Sequence, residues 1–201
     1  MTIARALAVA VATTVLAACA TTPQAPATTG PTPTVAASDL QALRIHYGLP
    51  DCPDTDPAAD QVDGGLPVTA LPCLGSHKHV NLAGLPRTPT IINLWAQWCE
   101  PCRAESPYLR SALAELTDVS FIGINYDDPQ PDWAIEFASL VGWNYPHVTD
   151  EDRQLRVPLG VPGLPTTYFV DADGRIAGVH AGQFTSAQQV VDLAERYLGA
   201  S

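Results

Sequence analysis

The chain has 201 residues, of which 46% are hydrophobic, and this fits one globular domain with appended segments. Its formal net charge is -11, from 21 acidic and 10 basic residues. The acidity argues against nucleic-acid binding, which needs a basic surface, and it indicates no particular partner by itself.

Residues 1–18 have the pattern of an export signal. Arg5 gives a positive start, and the uncharged run that follows is too short for a comfortable membrane span of about 20 apolar residues. The run ends in Leu-Ala-Ala-Cys, which resembles the lipobox of bacterial lipoproteins. We therefore expect an extracytoplasmic protein anchored to the bacterial cell membrane by a lipid on Cys19. The alternative is an ordinary signal peptide or an uncleaved anchor, with Cys19 incidental.

Residues 19–38 are predicted to form a disordered tether, because they are rich in threonine and proline, uncharged and without apolar periodicity. An N-terminal extension is expected at residues 39–65, with a short helix at 39–47 followed by a loop rich in proline, aspartate and glycine. The remaining residues, 66–201, are predicted to form the main domain.

In the main domain, runs of β-branched and aromatic residues alternate with segments of helical periodicity. The clearest strand is 90–96 and the clearest helix is 99–117, which Pro107 is expected to kink. Further strands are predicted at 78–82, 119–125, 147–149, 166–170 and 175–181, with a hairpin turn at 171–174, and further helices at 131–141 and 185–198. This order predicts an α/β fold with a central mixed sheet flanked by helices.

Cys99 and Cys102 directly follow the predicted strand and begin the predicted helix, with Glu100 and Pro101 between them. Free N–H groups and the positive dipole of a helix N-terminus stabilise a thiolate, which is the reactive form of cysteine. Residues three apart share a helical face, so the two sulfurs can meet. The arrangement predicts a redox-active disulfide.

A purely structural disulfide and half of a zinc site are the alternatives for this pair. Zinc needs two more ligands at suitable spacing. Cys52 and Cys73 are far apart in sequence and form no second Cys-x-x-Cys motif. We therefore expect no metal and no cofactor other than the disulfide itself.

The segment at 93–107, Asn-Leu-Trp-Ala-Gln-Trp-Cys-Glu-Pro-Cys-Arg-Ala-Glu-Ser-Pro, resembles the active-site segment of the TlpA/ResA/DsbE branch of thioredoxin-like proteins. Residues 163–171, Gly-Leu-Pro-Thr-Thr-Tyr-Phe-Val-Asp, and the Asp-Gly-Arg at 173–175 resemble the second signature of that branch. The resemblance covers roughly residues 66–198 and implies a thioredoxin-like fold for the main domain. Residues 20–65 lie outside it.

The resemblance assigns roles by position. Cys99 is expected to be the exposed nucleophile, and Cys102 the buried cysteine that resolves the mixed disulfide. Pro165 is expected to be a cis-proline facing the disulfide, with the backbone of Leu164 pairing with substrate; a trans loop is the alternative. Trp98 is expected to form an apolar rim for an extended substrate.

Asn93 stands where ordinary thioredoxins keep a buried aspartate that shuttles a proton. Glu105 matches the active-site glutamate of ResA-like reductases and is expected to take the proton of the resolving cysteine; the alternative is a solvated helix acid. Glu100 and Pro101 match the Cys-Glu-Pro-Cys loop of those reductases and are assigned to the substrate-binding surface. The charge of Glu100 is expected to raise the pKa of the nucleophile and make the pair less oxidising.

Cys52 and Cys73 are expected to form a structural disulfide, worth on the order of 3 kcal/mol, that closes the loop of the extension. A second redox pair that passes electrons to the first is the alternative. Trp95 is expected in the core, and His147 and His180 are expected to be ordinary core or surface histidines.

These motifs predict a protein-disulfide reductase that acts on exported proteins and is recharged by a membrane electron donor. By resemblance, its substrate is apocytochrome c during cytochrome c maturation. A thiol oxidase that assists disulfide formation and a non-catalytic binding lipoprotein remain the other hypotheses. The intact cysteine pair and Pro165 argue against the binding lipoprotein.

Overall fold

The computed structural model describes residues 36–200, so the predicted signal segment, Cys19 and the tether before Ala36 lie outside the described residues. The helices are α1 (Ala37–His46), α2 (Glu100–Glu115), α3 (Pro131–Leu140) and α4 (Ala187–Leu198). The strands are β1 (Ala70–Pro72), β2 (His79–Asn81), β3 (Thr90–Trp95), β4 (Ser120–Tyr126), β5 (His147–Asp150), β6 (Thr166–Val170) and β7 (Ile176–Ala181). A 3₁₀ turn, Leu82–Gly84, follows β2. Within residues 36–200, no helix combines the length and apolarity needed to cross a membrane.

The centre of the fold is a five-stranded mixed sheet in the order β5-β4-β3-β6-β7. β3 pairs in parallel with β4 and antiparallel with β6, and β4 pairs in parallel with β5. β1 and β2 form a separate antiparallel hairpin. The two parallel steps, through α2 and through α3, move in the same direction across the sheet, so right-handed crossovers put both helices on one face.

Alternate residues of β3 separate two buried clusters, as the two-residue period of a strand requires. Ile91 and Trp95 belong to the cluster that contains residues of α2, α3 and α4 and that α1 covers. Ile92 and Leu94 belong to the cluster formed with the β1–β2 hairpin and the β5–β6 loop. Trp95 is fully buried, which confirms its predicted place in the core.

The structure confirms the predicted α/β fold with a central mixed sheet, and the predicted helices and strands end within two residues of the observed ones. α1 begins at Ala37, so the last two residues assigned to the tether are helical. Pro107 lies inside α2, which continues through it. The carbonyl of Arg103, which Pro107 cannot bond, accepts a hydrogen bond from the Ser106 hydroxyl at 2.9 Å.

The extension before β1 packs onto the sheet through one buried arginine and one disulfide. The Arg44 guanidinium donates to the carbonyls of Gly75 and Leu49, each at 2.9 Å. Cys52 and Cys73 are joined, with their Cα atoms 6.0 Å apart. α1 and the residues that follow it are therefore attached to the segment directly after β1.

Candidate active site: the Cys99–Cys102 disulfide

Cys99 and Cys102 form a disulfide just beyond the end of β3. Cys99 is the N-cap of α2, and its sulfur accepts a hydrogen bond from the backbone N–H of Cys102 at 3.2 Å. Glu100 and Pro101 form the first turn, where the missing N–H of proline costs no helical hydrogen bond. After reduction, this helix end is placed to stabilise a thiolate on Cys99.

The prediction that Cys99 is exposed is wrong for the oxidised form. Cys99 is 3% exposed and Cys102 is 0% exposed, and both belong to the buried cluster on the helical face of the sheet. The reason is that the Cys99 sulfur is turned onto the helix end, where it is bonded to Cys102 and accepts its N–H. In the oxidised form, only a small part of Cys99 is therefore open to a partner thiol.

Glu105 is one helical turn after Cys102 and is fully buried. Its Oε1 accepts a hydrogen bond from the Asn93 side-chain amide at 3.1 Å, and its Oε2 accepts one from the Phe184 backbone N–H at 3.0 Å. Burial raises the pKa of Glu105 to about 7, although both hydrogen bonds lower it. The alternative of a solvated helix acid is wrong, and the carboxyl gains and loses its proton near neutral pH.

Asn93 links this carboxyl to the centre of the sheet. Its side-chain amide also donates to the hydroxyl of Thr167 at 3.1 Å, on the neighbouring strand β6, where the two residues are directly paired. The position that holds an acid in ordinary thioredoxins therefore holds an amide here. That amide fixes the orientation of the Glu105 carboxyl instead of carrying a proton itself.

The loop before β6 packs against the buried cluster to which the disulfide belongs. The Leu164–Pro165 peptide bond is cis, as expected. Leu164 packs against the cluster that contains both cysteines, and Pro165 is buried. The hydroxyl of Thr166 donates to the carbonyl of Gly163 at 2.7 Å and closes the turn.

The turn after β4 holds the two residues that precede the disulfide. The Trp98 side chain is half exposed, and its indole N–H donates to the carbonyl of Asp127 at 3.0 Å. The backbone N–H of Gln97 donates to the buried carboxyl of Asp128 at 2.9 Å. Trp98 is thus an exposed aromatic surface in a fixed position. Sequence reasoning missed both aspartates, because their role depends on β4 lying next to β3 and not on a motif.

The Cys52–Cys73 disulfide is buried in the other cluster, on the opposite face of the sheet from Cys99–Cys102. The Asp51 carboxylate lies 3.5 Å from the Cys73 sulfur. The structure therefore does not bring the two disulfides together, and direct exchange between them would have to cross the sheet.

The two histidines considered in the sequence lie among aromatic rings. His147 is buried, with its ring centroid 5.3 Å from that of Trp95, and burial lowers its pKa to about 4. His180 stacks on Phe184 at 4.4 Å between centroids. These surroundings are typical of packed histidines.

Comparison with known proteins agrees with this fold and site. Residues 65–179 match the AhpC/TSA family. The thiol:disulfide interchange protein DsbE of Pseudomonas fluorescens biotype C is 37% identical over 161 residues, which cover 79% of this chain and 87% of that protein. The thiol-disulfide oxidoreductase ResA of Bacillus subtilis is 30% identical over 113 residues, and the match spans only 62% of its length. A secreted thiol-disulfide isomerase from Corynebacterium glutamicum superposes with a TM-score of 0.58 at 30% identity, over 64% of this chain and 82% of that one.

The chain belongs to the AhpC/TSA family of thioredoxin-like proteins. The DsbE and ResA relatives are named for thiol–disulfide exchange, and this chain carries a disulfide at the start of α2. It is a thiol–disulfide oxidoreductase of the DsbE/ResA type.

Proposed function

We propose that this protein is an extracytoplasmic protein-disulfide reductase that uses the Cys99–Cys102 pair and no other cofactor. The observation that carries the proposal is the buried carboxyl of Glu105, one helical turn from Cys102 and with a pKa raised by burial to about 7. A resolving cysteine must lose a proton before it can attack, and a carboxyl with this pKa accepts that proton near neutral pH.

The proposed reaction has two exchange steps. The Cys99 thiolate attacks one sulfur of a substrate disulfide, and the other substrate sulfur leaves as a thiolate. Cys102 gives its proton to Glu105 and attacks the Cys99 sulfur of the mixed disulfide, which releases the second substrate sulfur. The substrate gains two electrons and becomes a dithiol, and the Cys99–Cys102 pair loses them and becomes a disulfide.

The surface around the pair is assigned to substrate binding. Trp98 supplies an exposed aromatic face beside the nucleophile, and the first turn of α2 adds the exposed Glu100 and the half-buried Pro101. Leu164, which packs against the buried cluster that contains both cysteines, and the adjacent Pro165 are assigned to the same surface, and the backbone of Leu164 is proposed to pair with an extended substrate segment.

The proposed substrates are disulfides of exported proteins, with apocytochrome c in cytochrome c maturation as the specific case. The oxidised pair is proposed to be re-reduced by a membrane electron donor, and the lipid on Cys19 is proposed to keep the protein near it. The names of the DsbE and ResA relatives support a thiol–disulfide exchange function. The Corynebacterium glutamicum protein is described as secreted, which supports an extracytoplasmic location.

A thiol oxidase is the second candidate, and one observation favours it. The Cys99 sulfur accepts the Cys102 N–H at the start of α2. A helix end that stabilises the thiolate stabilises the reduced pair and makes the disulfide more oxidising. The negative charge of Glu100 acts in the opposite direction.

Trapping of the mixed disulfide tests the proposed roles. Reduced Cys102→Ser protein, mixed with a disulfide-containing protein substrate, is expected to accumulate a covalent complex through Cys99, because the resolving thiol is missing. Cys99→Ser is the matched control and is expected to give no complex. Non-reducing electrophoresis with mass spectrometry identifies the bonded cysteine. Trapping through Cys102 in the control, or no complex with either variant, would contradict the assignment.

A further inference from the structure

A cavity of about 190 Å³ lies beside the candidate active site. One side is formed by Tyr126 and Asp127 at the end of β4, and another by Arg153 and Arg156 of the β5–β6 loop. The lining ends at Gly163, the residue directly before Leu164. Asp127 also accepts the Trp98 indole N–H through its carbonyl, so the cavity is lined by a residue that contacts Trp98 and by the residue that precedes Leu164.

Two guanidinium groups and one carboxylate line this cavity. Arg153 is 3.6 Å from the Asp127 carboxylate, so that negative charge is paired. Arg156 is exposed and forms no ion pair among residues 36–200. Glu151 and Asp152 are exposed on the preceding turn but do not line the cavity. In a chain with a formal net charge of -11, the lining therefore carries a net positive charge.

The loop that carries both arginines is held in place by buried contacts. Leu155, between them, is fully buried, and the buried Asp150 carboxyl accepts the N–H groups of Gln154 at 2.7 Å and of Leu155 at 3.0 Å. Further along, the carbonyl of Leu159 accepts the hydroxyl of Tyr168 at 3.0 Å. A backbone fixed in this way reduces the ordering cost that binding must overcome.

The position of the cavity determines which part of a bound substrate lies next to it. A substrate segment paired beside Leu164 has its reactive cysteine at the disulfide and its neighbouring residues next to Gly163. An extended chain advances by about 3.4 Å per residue, so the residues within two positions of that cysteine extend roughly 7 Å from the disulfide along the surface. A guanidinium binds a carboxylate through two parallel N–H donors, and the side chain of a substrate Asp or Glu provides such a carboxylate.

We propose that this cavity is a specificity subsite for a carboxylate of the substrate polypeptide, an Asp or Glu side chain within two residues of the reactive cysteine, and that Arg156 binds it. The proposal rests on the proposed disulfide-reductase function, and it adds a substrate class to that function: disulfides flanked by an acidic residue.

Two peptides test the subsite. Each carries one cysteine in a mixed disulfide with a chromogenic thiol, and they differ only in having Asp or Asn two residues from that cysteine. The pair is made with this residue before the cysteine and again with it after the cysteine, so that both sides are tested. The kcat/KM for reduction is measured with the wild-type protein and with Arg156→Gln. Arg196→Gln is the matched control, because Arg196 is also exposed and without an ion pair among the described residues but lies in the last turn of α4.

The wild-type protein and Arg196→Gln are expected to prefer the Asp peptide by about fivefold, the size of a favourable exposed ion pair, and to lose part of this preference in high salt. Arg156→Gln is expected to reduce both peptides at the rate at which the wild-type protein reduces the Asn peptide. Arg156→Lys is expected to retain part of the preference for the Asp peptide. An Asp preference that survives in Arg156→Gln, or no preference in the wild-type protein, overturns the subsite while leaving the reductase function intact. No reduction of either peptide by the wild-type protein overturns the reductase function and the subsite with it.

Discussion

Glu105 lies on the buried face of α2, where its carboxyl contacts the Asn93 amide and the Phe184 backbone instead of water. Burial favours the neutral carboxyl and raises its pKa from the ordinary value of 4.5 to about 7. The folded protein therefore keeps this proton over a pH interval in which the unfolded chain has already lost it. Protonation of Glu105 is thereby coupled to stability.

The coupling predicts that Glu105 makes the protein less stable as pH rises from about 4.5 to about 7, by on the order of 3 kcal/mol in total, with no further change above that range. The prediction is checked with Glu105→Gln, which cannot ionise. Urea unfolding of the oxidised proteins is measured from pH 4.5 to 8. The wild-type free energy of unfolding, minus that of Glu105→Gln, is expected to fall by this amount.

Two features make the comparison specific. His147, whose pKa burial lowers to about 4, changes stability in the opposite direction but is present in both proteins and cancels in the difference. Glu115→Gln, on the exposed part of the same helix, is the matched control; because it keeps Glu105, its free energy of unfolding is expected to change with pH as that of the wild-type protein does. Parallel pH curves for the wild-type protein and Glu105→Gln would show that the carboxyl is not buried as described.

The sequence predicted which residues take part in the chemistry better than it predicted how buried those residues are. The motif around Cys99 and Cys102 was enough to select Glu105, but its burial depends on Asn93 in β3 and on Phe184 near α4, which adjoin it only in the folded chain. The exposure predicted for Cys99 was wrong for the same reason. Contacts between segments that are far apart in the chain leave no local pattern in the sequence.

At the scale of elements, strands with a strong local pattern were predictable and weak ones were not. β3, β4 and β6 are runs of buried β-branched and aromatic residues, so the sequence predicted each to within one residue. β1 has three residues, one of them a proline, and was not predicted. It exists because β2 pairs with it and because the adjacent Cys73 is joined to Cys52.

The Cys52–Cys73 disulfide is predicted to stabilise the fold without taking part in the chemistry. It links residues 21 apart in sequence, so replacing both cysteines by alanine is expected to lower the free energy of unfolding by on the order of 3 kcal/mol. Guanidinium unfolding of the double variant measures this. Its activity, assayed below the unfolding transition, is expected to match that of the wild-type protein, because the disulfide lies on the other face of the sheet.

The opposite result would support the relay hypothesis. A double variant that folds with unchanged stability but loses reductase activity would show that Cys52 and Cys73 pass electrons to the active-site pair. Single replacement of Cys73 leaves Cys52 free to form wrong disulfides, so the double variant is the appropriate form.

For the molecule as a whole, the sheet separates two kinds of disulfide. One face carries the helices, the Cys99–Cys102 pair and Glu105, and the other carries the hairpin and the Cys52–Cys73 link. The motifs predicted the fold class and the chemistry of the first face. They did not predict the positively charged cavity, because Arg153 and Arg156 lie in a loop without a pattern of its own.

The reduction potential of the Cys99–Cys102 pair tests the central claim most directly. The purified protein is equilibrated with dithiothreitol or glutathione mixtures, and the state of each disulfide is read by mass spectrometry, so that Cys52–Cys73 is followed separately. A reductase is expected to have a potential near or below that of thioredoxin, about -270 mV. A potential near that of the oxidant DsbA, about -120 mV, would contradict the reductase and identify a disulfide-forming enzyme.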